Sequence, residues 1–340
     1  MAFFRQELAI DLGTANTVIF KDDKVVLDEP SIIAVDSKSN RLMAIGNEAQ
    51  LWEEHTNPGI ATVRPLMNGV IADYDAAETM LEGFIMKAVG RKTKGLLRPA
   101  LKIVIGIPGG ATPVDMRSIR DSAGHAGAHD LYLIYEPMAS ALGIGLDVLA
   151  PNGNMIVDIG GGTTEIAVIT LGGISVSESI HIAGNEITND IIDHMAQKHN
   201  IHIGRTTAEY IKLHVGAVLA DLGEEGPEPL VVTGRNLLTG LPLQASISYQ
   251  EVASCIGKTI SKIEDTILKV LQKTPPELYS NIVSNGIWLA GGGALLRGIA
   301  KRFTEKVNIP FQVAEDPLKA VARGTCMALK GTDRFPFLMK

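Results

Sequence analysis

Two aspartates precede glycine-rich turns about one domain length apart, and each turn ends in a threonine. The first stretch is Asp11-Leu12-Gly13-Thr14 and the second is Asp158-Ile159-Gly160-Gly161-Gly162-Thr163. A bound triphosphate with magnesium needs backbone N–H groups aimed at phosphate oxygens, and carboxylates that hold the hydrated ion. Each stretch offers both kinds of group, so the pair indicates a nucleotide site with Mg²⁺.

The residues of each loop suit this chemistry. Gly13 allows the backbone to approach a phosphate closely, Thr14 adds a hydroxyl group and Asn16 adds an amide donor. Either loop alone would more often be an ordinary hairpin turn, but two loops in matching strand contexts favour phosphate binding. The predicted phosphate-binding residues are Gly13, Thr14, Ala15, Asn16, Gly160, Gly161, Gly162 and Thr163.

A third glycine-rich element, Gly291-Gly292-Gly293-Ala294, runs from a predicted strand into a helix expected to begin at Leu295. Such a turn can lie against a nucleotide with its N–H groups exposed, although it could also be only a tight strand-to-helix connection. The chain lacks a Gly-x-x-x-x-Gly-Lys-Ser/Thr motif, and no Gly-x-Gly-x-x-Gly opens a first βα unit. P-loop and Rossmann sites are therefore disfavoured.

The elements that must position these loops occur twice. The first half begins with three short β-prone runs and continues as alternating strands and helices to about Gly145, and the strand meander returns from Asn154. This alternation predicts mixed α/β sheets, and two lobes with one loop each predict a cleft between them. A single long helix is expected at Gln250–Leu271.

Composition supports two globular domains. The chain has 340 residues, of which 46% are hydrophobic and 20% charged, and its formal net charge is -7. Its length suits two cores, and its acidic balance disfavours a nucleic-acid partner. Cys255 and Cys326 stand far apart and have no His or Cys neighbours at metal-ligand spacing, which fits a reducing cytoplasm. The start of the chain lacks the apolar core of a signal peptide, so a soluble or peripheral protein is expected.

The order of these motifs resembles the actin, Hsp70 and sugar-kinase superfamily. Both aspartate loops, the Glu136-Pro137 step before a helix and the Gly291–Leu296 element match its phosphate, connect and adenosine motifs. More specific stretches are similar to the MreB family of bacterial actins: Leu27–Ser31, Arg64-Pro65, Gly69–Tyr74, Gly161–Glu165, Thr274–Leu278 and Ala314–Leu318. Tyr135 departs from that family, whose members commonly have a second acidic residue there, whereas Glu136 is retained.

The resemblance implies an α/β actin-like ATPase fold with a duplicated ribonuclease-H-like core. Each of the two lobes would have a mixed β-sheet flanked by helices and a small inserted subdomain. The implied division assigns residues 1–31, 66–145 and 314–340 to the first core (IA), 32–65 to its insert (IB), 146–182 and 246–313 to the second core (IIA), and 183–245 to its insert (IIB).

The resemblance also implies slow hydrolysis of ATP with Mg²⁺ in the cleft. Glu136 would position the attacking water, Thr163 would lie near the terminal phosphate, and Asp158 would contribute to catalysis. Asp11 and Asp158 would hold Mg²⁺ through water. Taken locally, Glu136 is equally well explained as a glutamate in the first turn of a helix.

Glu209 and Lys212 fall where the MreB family holds the adenosine moiety, together with Gly291, Gly292, Gly293 and Ala294. Thr206-Thr207-Ala208-Glu209 is also a capping-box pattern, in which Glu209 would only close the start of a helix. Both roles remain open from the sequence.

The resemblance further implies self-assembly into filaments, with paired protofilaments, that direct cell-wall synthesis and cell shape. Such filaments would lie in the cytoplasm at the inner face of the cell membrane and engage the cell-wall elongation machinery. Leu96 and Leu97, within a basic stretch, would supply the lipid contact, and Phe3 and Phe4 would add to it. The alternative for the leucines is a solvated basic turn.

Two other functions compete with a filament-forming ATPase. A small-molecule kinase would need a base for an acceptor hydroxyl group, and no dedicated base stands out in the sequence. A non-polymerising ATPase adaptor of the same superfamily is harder to separate, because it would share every nucleotide-binding motif.

Overall fold

The protein's computed structural model describes residues 5–53, 57–90 and 100–340. The strands are β1 (Arg5–Leu12), β2 (Asn16–Lys21), β3 (Lys24–Pro30), β4 (Ile33–Asp36), β5 (Leu42–Ile45), β6 (Ile60–Val63), β7 (Leu66–Met67), β8 (Val70–Ile71), β9 (Ala100–Ile107), β10 (Ala128–Tyr135), β11 (Asn154–Ile159), β12 (Thr164–Thr170), β13 (Gly173–Ile180), β14 (Ile201–His202), β15 (Leu230–Asn236), β16 (Pro242–Ile247), β17 (Ile287–Ala290) and β18 (Phe311–Val313).

The helices are α1 (Asn47–Gln50), α2 (Tyr74–Val89), α3 (Pro113–His125), α4 (Glu136–Gly143), α5 (Gly184–His199), α6 (Arg205–Val215), α7 (Tyr249–Cys255), α8 (Gly257–Lys273), α9 (Pro276–Asn285), α10 (Ile299–Val307) and α11 (Ala320–Lys330). Short 3-10 turns occur at Gly223–Glu225, Gly292–Leu295 and Pro317–Lys319.

Two five-stranded sheets share one design. The first has the order β10-β9-β1-β2-β3 and the second has the order β13-β12-β11-β17-β18. In each sheet, three consecutive strands form an antiparallel meander and two later strands add in parallel beside its first strand. The predicted repeat is therefore confirmed, and the two aspartate loops occupy the equivalent first hairpin of each sheet.

Helices α4 and α11 lie between the two sheets. A shared core joins Ala9 and Val104 of the first sheet to Ile156 and Ala167 of the second, together with apolar residues of both helices. The two helices cross with their backbones in contact, since a Cβ added at Gly324 of α11 would lie 1.6 Å from the carbonyl oxygen of Ala139 in α4. This crossing connects the two halves of the molecule.

Each large sheet has its own core on the opposite face. In the first lobe, Met80 and Phe84 of α2 pack against the strands. In the second lobe, the strands pack with Ile187 of α5, Ile263 of α8 and Phe303 of α10. These cores hold the strand ends, and hence both loops, in place.

Two small three-stranded sheets complete the lobes. Strands in the order β5-β4-β6 lie within residues 32–65, and strands in the order β14-β15-β16 lie within residues 183–245. The proposed boundaries of the four subdomains stay a prediction. Among the described residues, no helix combines the length and the apolar character needed to cross a bilayer.

Two helix predictions were wrong. The segment Gln250–Leu271 is two helices, because α7 ends at Cys255 and α8 begins at Gly257, where a glycine weakens helix continuation. The helix expected from Leu295 begins at Ile299 instead. A 3-10 turn and Gly298, at φ +83°, precede it.

Candidate active site

The two aspartate loops face each other across one cavity of about 700 Å³. One loop joins β1 to β2 and the other joins β11 to β12. Their approach requires small residues. A Cβ added at Gly161 would lie 2.7 Å from the Cβ of Ala15, and one added at Gly162 would lie 2.8 Å from Cγ2 of Thr14. A larger side chain at either glycine would push the loops apart.

The structure brings nearly all the predicted site residues to this cavity. Those that line it are Asp11, Gly13, Thr14, Ala15, Asn16, Glu136, Asp158, Gly160, Gly161, Gly162, Thr163, Glu209, Lys212, Gly291, Gly292 and Gly293. Ala294 is the exception, because its side chain is buried in the core of the second lobe. It supports the glycine turn from behind and does not face the cavity.

Residues outside the predicted set hold the first loop. Ser31 Oγ donates to the carbonyl oxygen of Gly13 at 2.6 Å, and the Ser31 N–H donates to that of Ala15 at 2.9 Å. The Gly69 N–H donates to Thr14 Oγ1 at 3.1 Å. Ser31 and Gly69 were not predicted from the sequence to have a role, although both lie within family-like stretches.

The second loop is held by the start of α5. The N–H groups of Gly184 and Asn185 donate to the carbonyl oxygens of Gly160 and Gly161, at 3.1 and 2.7 Å. Gly291 adopts φ +76°, and a Cβ there would lie 2.4 Å from Asp158 Oδ1. Glycine is therefore needed at 291 both for the backbone conformation and for the approach to Asp158.

Three carboxyl groups meet at the cavity, with Asp158 buried and Asp11 and Glu136 half-buried. Burial raises the pKa of Asp11 to about 7, with further contributions from the charges of Asp158 and Asp28. Burial also raises the pKa of Asp158 to about 6, against the opposing effect of a 2.7 Å hydrogen bond from Ser140 Oγ. The pKa of Glu136 is raised well above its usual range by burial and then by the charge of Asp11.

This cluster fits a magnesium ion. Carboxylate oxygens are donors that Mg²⁺ prefers, and repulsion between buried anions is what a divalent cation relieves. Asp11 and Asp158 come from equivalent positions in the two sheets, so each lobe contributes one carboxylate.

Glu165 connects the lobes beside this cluster. Its Oε2 accepts a hydrogen bond from the Gly109 N–H, in the segment after β9, at 3.2 Å, and its Oε1 accepts one from Ser179 Oγ at 2.6 Å. Burial raises the pKa of Glu165 while the bond from Ser179 opposes that shift. The sequence placed Glu165 in a family motif without indicating this contact.

Lys212, which also lines the cavity, organises a polar group. Its Nζ donates to Glu209 at 2.8 Å, to Thr188 Oγ1 at 3.0 Å and to the Gly184 carbonyl oxygen at 3.1 Å. Burial lowers the pKa of Lys212, and Glu209 opposes that shift. The capping-box alternative for Glu209 was wrong, because α6 is capped at Gly204 without a side-chain hydrogen bond.

The predicted lipid contacts cannot be placed on this framework. Leu96, Leu97, Phe3 and Phe4 all lie outside the described residues.

Comparison with known proteins decides the family. The family model described as MreB/Mbl protein matches residues 5–336. The chain belongs to the MreB/Mbl family. It is 38% identical over 334 residues to cell shape-determining protein Mbl of Bacillus subtilis, with 98% of each chain covered. It is 41% identical over 335 residues to cell shape-determining protein MreB of Escherichia coli, covering 97% of this chain and 95% of that protein.

A solved MreB structure has the same fold. The crystal structure of MreB 5 of Spiroplasma citri bound to AMPPNP superimposes with a TM-score of 0.90 at 35% identity, covering 97% of both chains. The predicted MreB/Mbl resemblance and the α/β actin-like fold are therefore confirmed. The glycine loops of this MreB/Mbl chain lie on equivalent hairpins of the duplicated core.

Proposed function

We propose that this chain is an ATP-dependent polymerising cytoskeletal protein whose membrane-associated filaments direct cell-wall synthesis and cell shape. The observation that carries the proposal is the pair of glycine loops facing one cavity in an MreB/Mbl chain. The cell shape-determining names of the Bacillus and Escherichia relatives support the cellular role. The AMPPNP bound to the Spiroplasma protein supports an adenine nucleotide as the ligand.

In this proposal, the loop N–H groups bind phosphate oxygens, and Asp11 and Asp158 hold Mg²⁺ through water molecules. Bound Mg²⁺ would supply the positive charge that offsets the phosphates and the buried carboxylates. Glu209, Lys212 and the turn at Gly291–Gly293 bind the adenosine moiety, with Ala294 behind that turn.

Glu136 is the proposed water-positioning residue in hydrolysis. It begins α4, with Pro137 in the first turn, so a rigid helix start aims its carboxyl group into the cavity. A raised pKa brings that group nearer the range in which a general base is effective. Thr163 would contact the terminal phosphate and Asp158 would complete the catalytic set.

In this proposal, copies of the chain join head to tail, and because this contact does not close into a ring, the assembly is a filament. ATP would favour assembly by fixing the angle between the lobes, which meet at the α4–α11 crossing. Paired protofilaments and the division into subdomains IA, IB, IIA and IIB belong to the same proposal. So do the cytoplasmic location, the lipid contact through Leu96 and Leu97 with Phe3 and Phe4, and engagement of the cell-wall elongation machinery.

The experiment for this function follows phosphate release and sedimentation in the same samples. An ATP-dependent filament protein releases phosphate without any added acceptor and pellets when ATP is present. A small-molecule kinase would release ADP only when an acceptor hydroxyl compound is supplied, and a non-polymerising adaptor would hydrolyse ATP without pelleting. Either of these results would replace the proposed function.

A further inference from the structure

A second cluster of ligand-type side chains lies outside the cavity. His194 and His199 belong to α5, and Glu251 belongs to α7. Their ligand atoms all lie within 4.8 Å of one another. None of these three is among the described residues that line the nucleotide cavity. The proposed function therefore leaves the cluster without a role.

The two histidines converge on one carboxylate oxygen. His199 Nε2 lies 2.9 Å from Glu251 Oε1, and His194 Nε2 lies 3.6 Å from the same oxygen. Zinc bonds of about 2.0–2.2 Å in a tetrahedron place ligand atoms about 3.3 Å apart. Because the observed spacings lie on either side of that value, a zinc ion would require only small side-chain shifts.

An ordinary hydrogen bond explains only half of this arrangement. His199 is within hydrogen-bond distance of Glu251, whereas His194 Nε2 is buried without a hydrogen-bond partner among the described residues. A buried polar atom in that state is destabilising. A metal ion between the three groups would give this nitrogen a partner.

Glu251 is already oriented for such a role. Its Oε2 accepts hydrogen bonds from the Ser248 N–H at 3.0 Å and from Ser248 Oγ at 3.2 Å, in a capping box at the start of α7. Its other carboxylate oxygen, Oε1, lies toward the two histidines. Outer contacts that fix a ligand in this way are typical of metal sites.

We propose that His194, His199 and Glu251 form a Zn²⁺ site that ties the end of α5 to the start of α7. Two imidazoles and a carboxylate are a donor set that zinc accepts, with water as a fourth ligand. The site is structural, because it lies outside the nucleotide cavity and joins two helices.

The test is calorimetric titration of Zn²⁺ into the nucleotide-free full chain in excess Mg²⁺, which saturates oxygen-only sites. We expect one zinc ion per chain, and at least ~10-fold weaker binding in His194→Ala and in Glu251→Gln. The melting temperature of the wild type should rise with zinc concentration, because the ion binds the folded state. Both variants should need at least ~10-fold more zinc for the same rise.

Two histidine variants are matched controls. His125→Ala disrupts a second cluster, of half-buried Glu78 and Glu82 with exposed His125, and His181→Ala removes an exposed histidine elsewhere. Both should keep the zinc affinity of the wild type. Glu251→Gln preserves side-chain shape if His194→Ala fails to fold. Absence of saturable binding in the wild type, unchanged affinity in Glu251→Gln, or loss of binding in His125→Ala would each overturn the site.

Discussion

At the scale of single residues, the proposed chemistry depends on the carboxyl groups of Asp11, Glu136 and Asp158. Asp158 is buried and the other two are half-buried, and loss of solvation is the main cause of the raised pKa of each. The two aspartates lie at matching strand ends, whereas Glu136 starts a helix. Their different positions support the proposed division of roles, in which the aspartates would hold the ion and Glu136 would act on water.

Glu136→Gln should slow phosphate release by about 10²-fold while leaving nucleotide affinity close to that of the wild type. Glutamine keeps the size of the side chain but cannot accept a proton. Phosphate release and binding of a fluorescent ATP analogue measure the two effects separately. Glu305→Gln, at an exposed position on α10, is the matched control. Unchanged turnover in Glu136→Gln would remove this residue from the mechanism.

The stability of the nucleotide-free and metal-free protein should fall as pH rises from about 4 to about 7. The folded pKa values of Asp11 and Asp158, about 7 and about 6, exceed the ordinary value of 3.8. The folded state therefore binds more protons than the unfolded state in this window, and its extra stability is lost as these groups ionise. The loss should be on the order of a few kcal/mol, measured by urea denaturation at pH 5 and pH 8.

Asp11→Asn should reduce that pH dependence, because asparagine stays neutral throughout while Asp158 still ionises. Asp265→Asn, at an exposed position on α8, should leave it unchanged. Mg²⁺ with nucleotide should oppose the loss at high pH, since the ion competes with protons for the carboxylates. Parallel pH profiles for wild type and Asp11→Asn would contradict this account.

At the scale of elements, the α4–α11 crossing is the contact most sensitive to substitution. Gly324→Ala should destabilise the fold by at least about 1–3 kcal/mol, because the new methyl group overlaps the Ala139 carbonyl oxygen. Gly124→Ala in α3 is the matched helical control, since a Cβ there meets nothing within 4 Å. It should stabilise by up to about 1 kcal/mol. Equal denaturation midpoints for the two variants would contradict the close backbone contact between α4 and α11.

The sequence predicted those elements whose signals are local. The hairpins that carry both aspartate loops follow from β-prone runs separated by glycine turns, and they were predicted to within a few residues. The α4–α11 contact, the support of Thr14 by Gly69 and the link from Glu165 to Gly109 join distant segments. No local pattern encodes such contacts, and the break after Cys255 was missed because apolar periodicity continues through it.

At the scale of the whole molecule, membrane binding should depend on assembly. Burying Leu96 and Leu97 is worth about 1.5–3 kcal/mol each, and each nearby basic residue adds about 1 kcal/mol near anionic lipid. One subunit would bind weakly, whereas a filament repeats the contact and gains about 10²–10⁴-fold in avidity. Flotation with anionic liposomes should therefore require ATP.

Leu96→Ser combined with Leu97→Ser should abolish flotation while ATP-dependent pelleting persists. Leu237→Ser with Leu238→Ser alters a leucine pair that is exposed in the described part of the chain, and serves as the control. If the Leu96 and Leu97 variant floats as well as the wild type, the lipid contact must be sought at Phe3 and Phe4 or abandoned.

Sedimentation with and without ATP tests the central claim most directly. Wild-type chain at micromolar concentration with Mg²⁺ should pellet when ATP is added and remain in the supernatant without nucleotide. Asp158→Asn should lose most of this response, whereas Glu305→Gln should retain it. A wild type that stays monomeric with ATP, or that pellets equally without it, would contradict an ATP-dependent filament built on the paired-loop cavity.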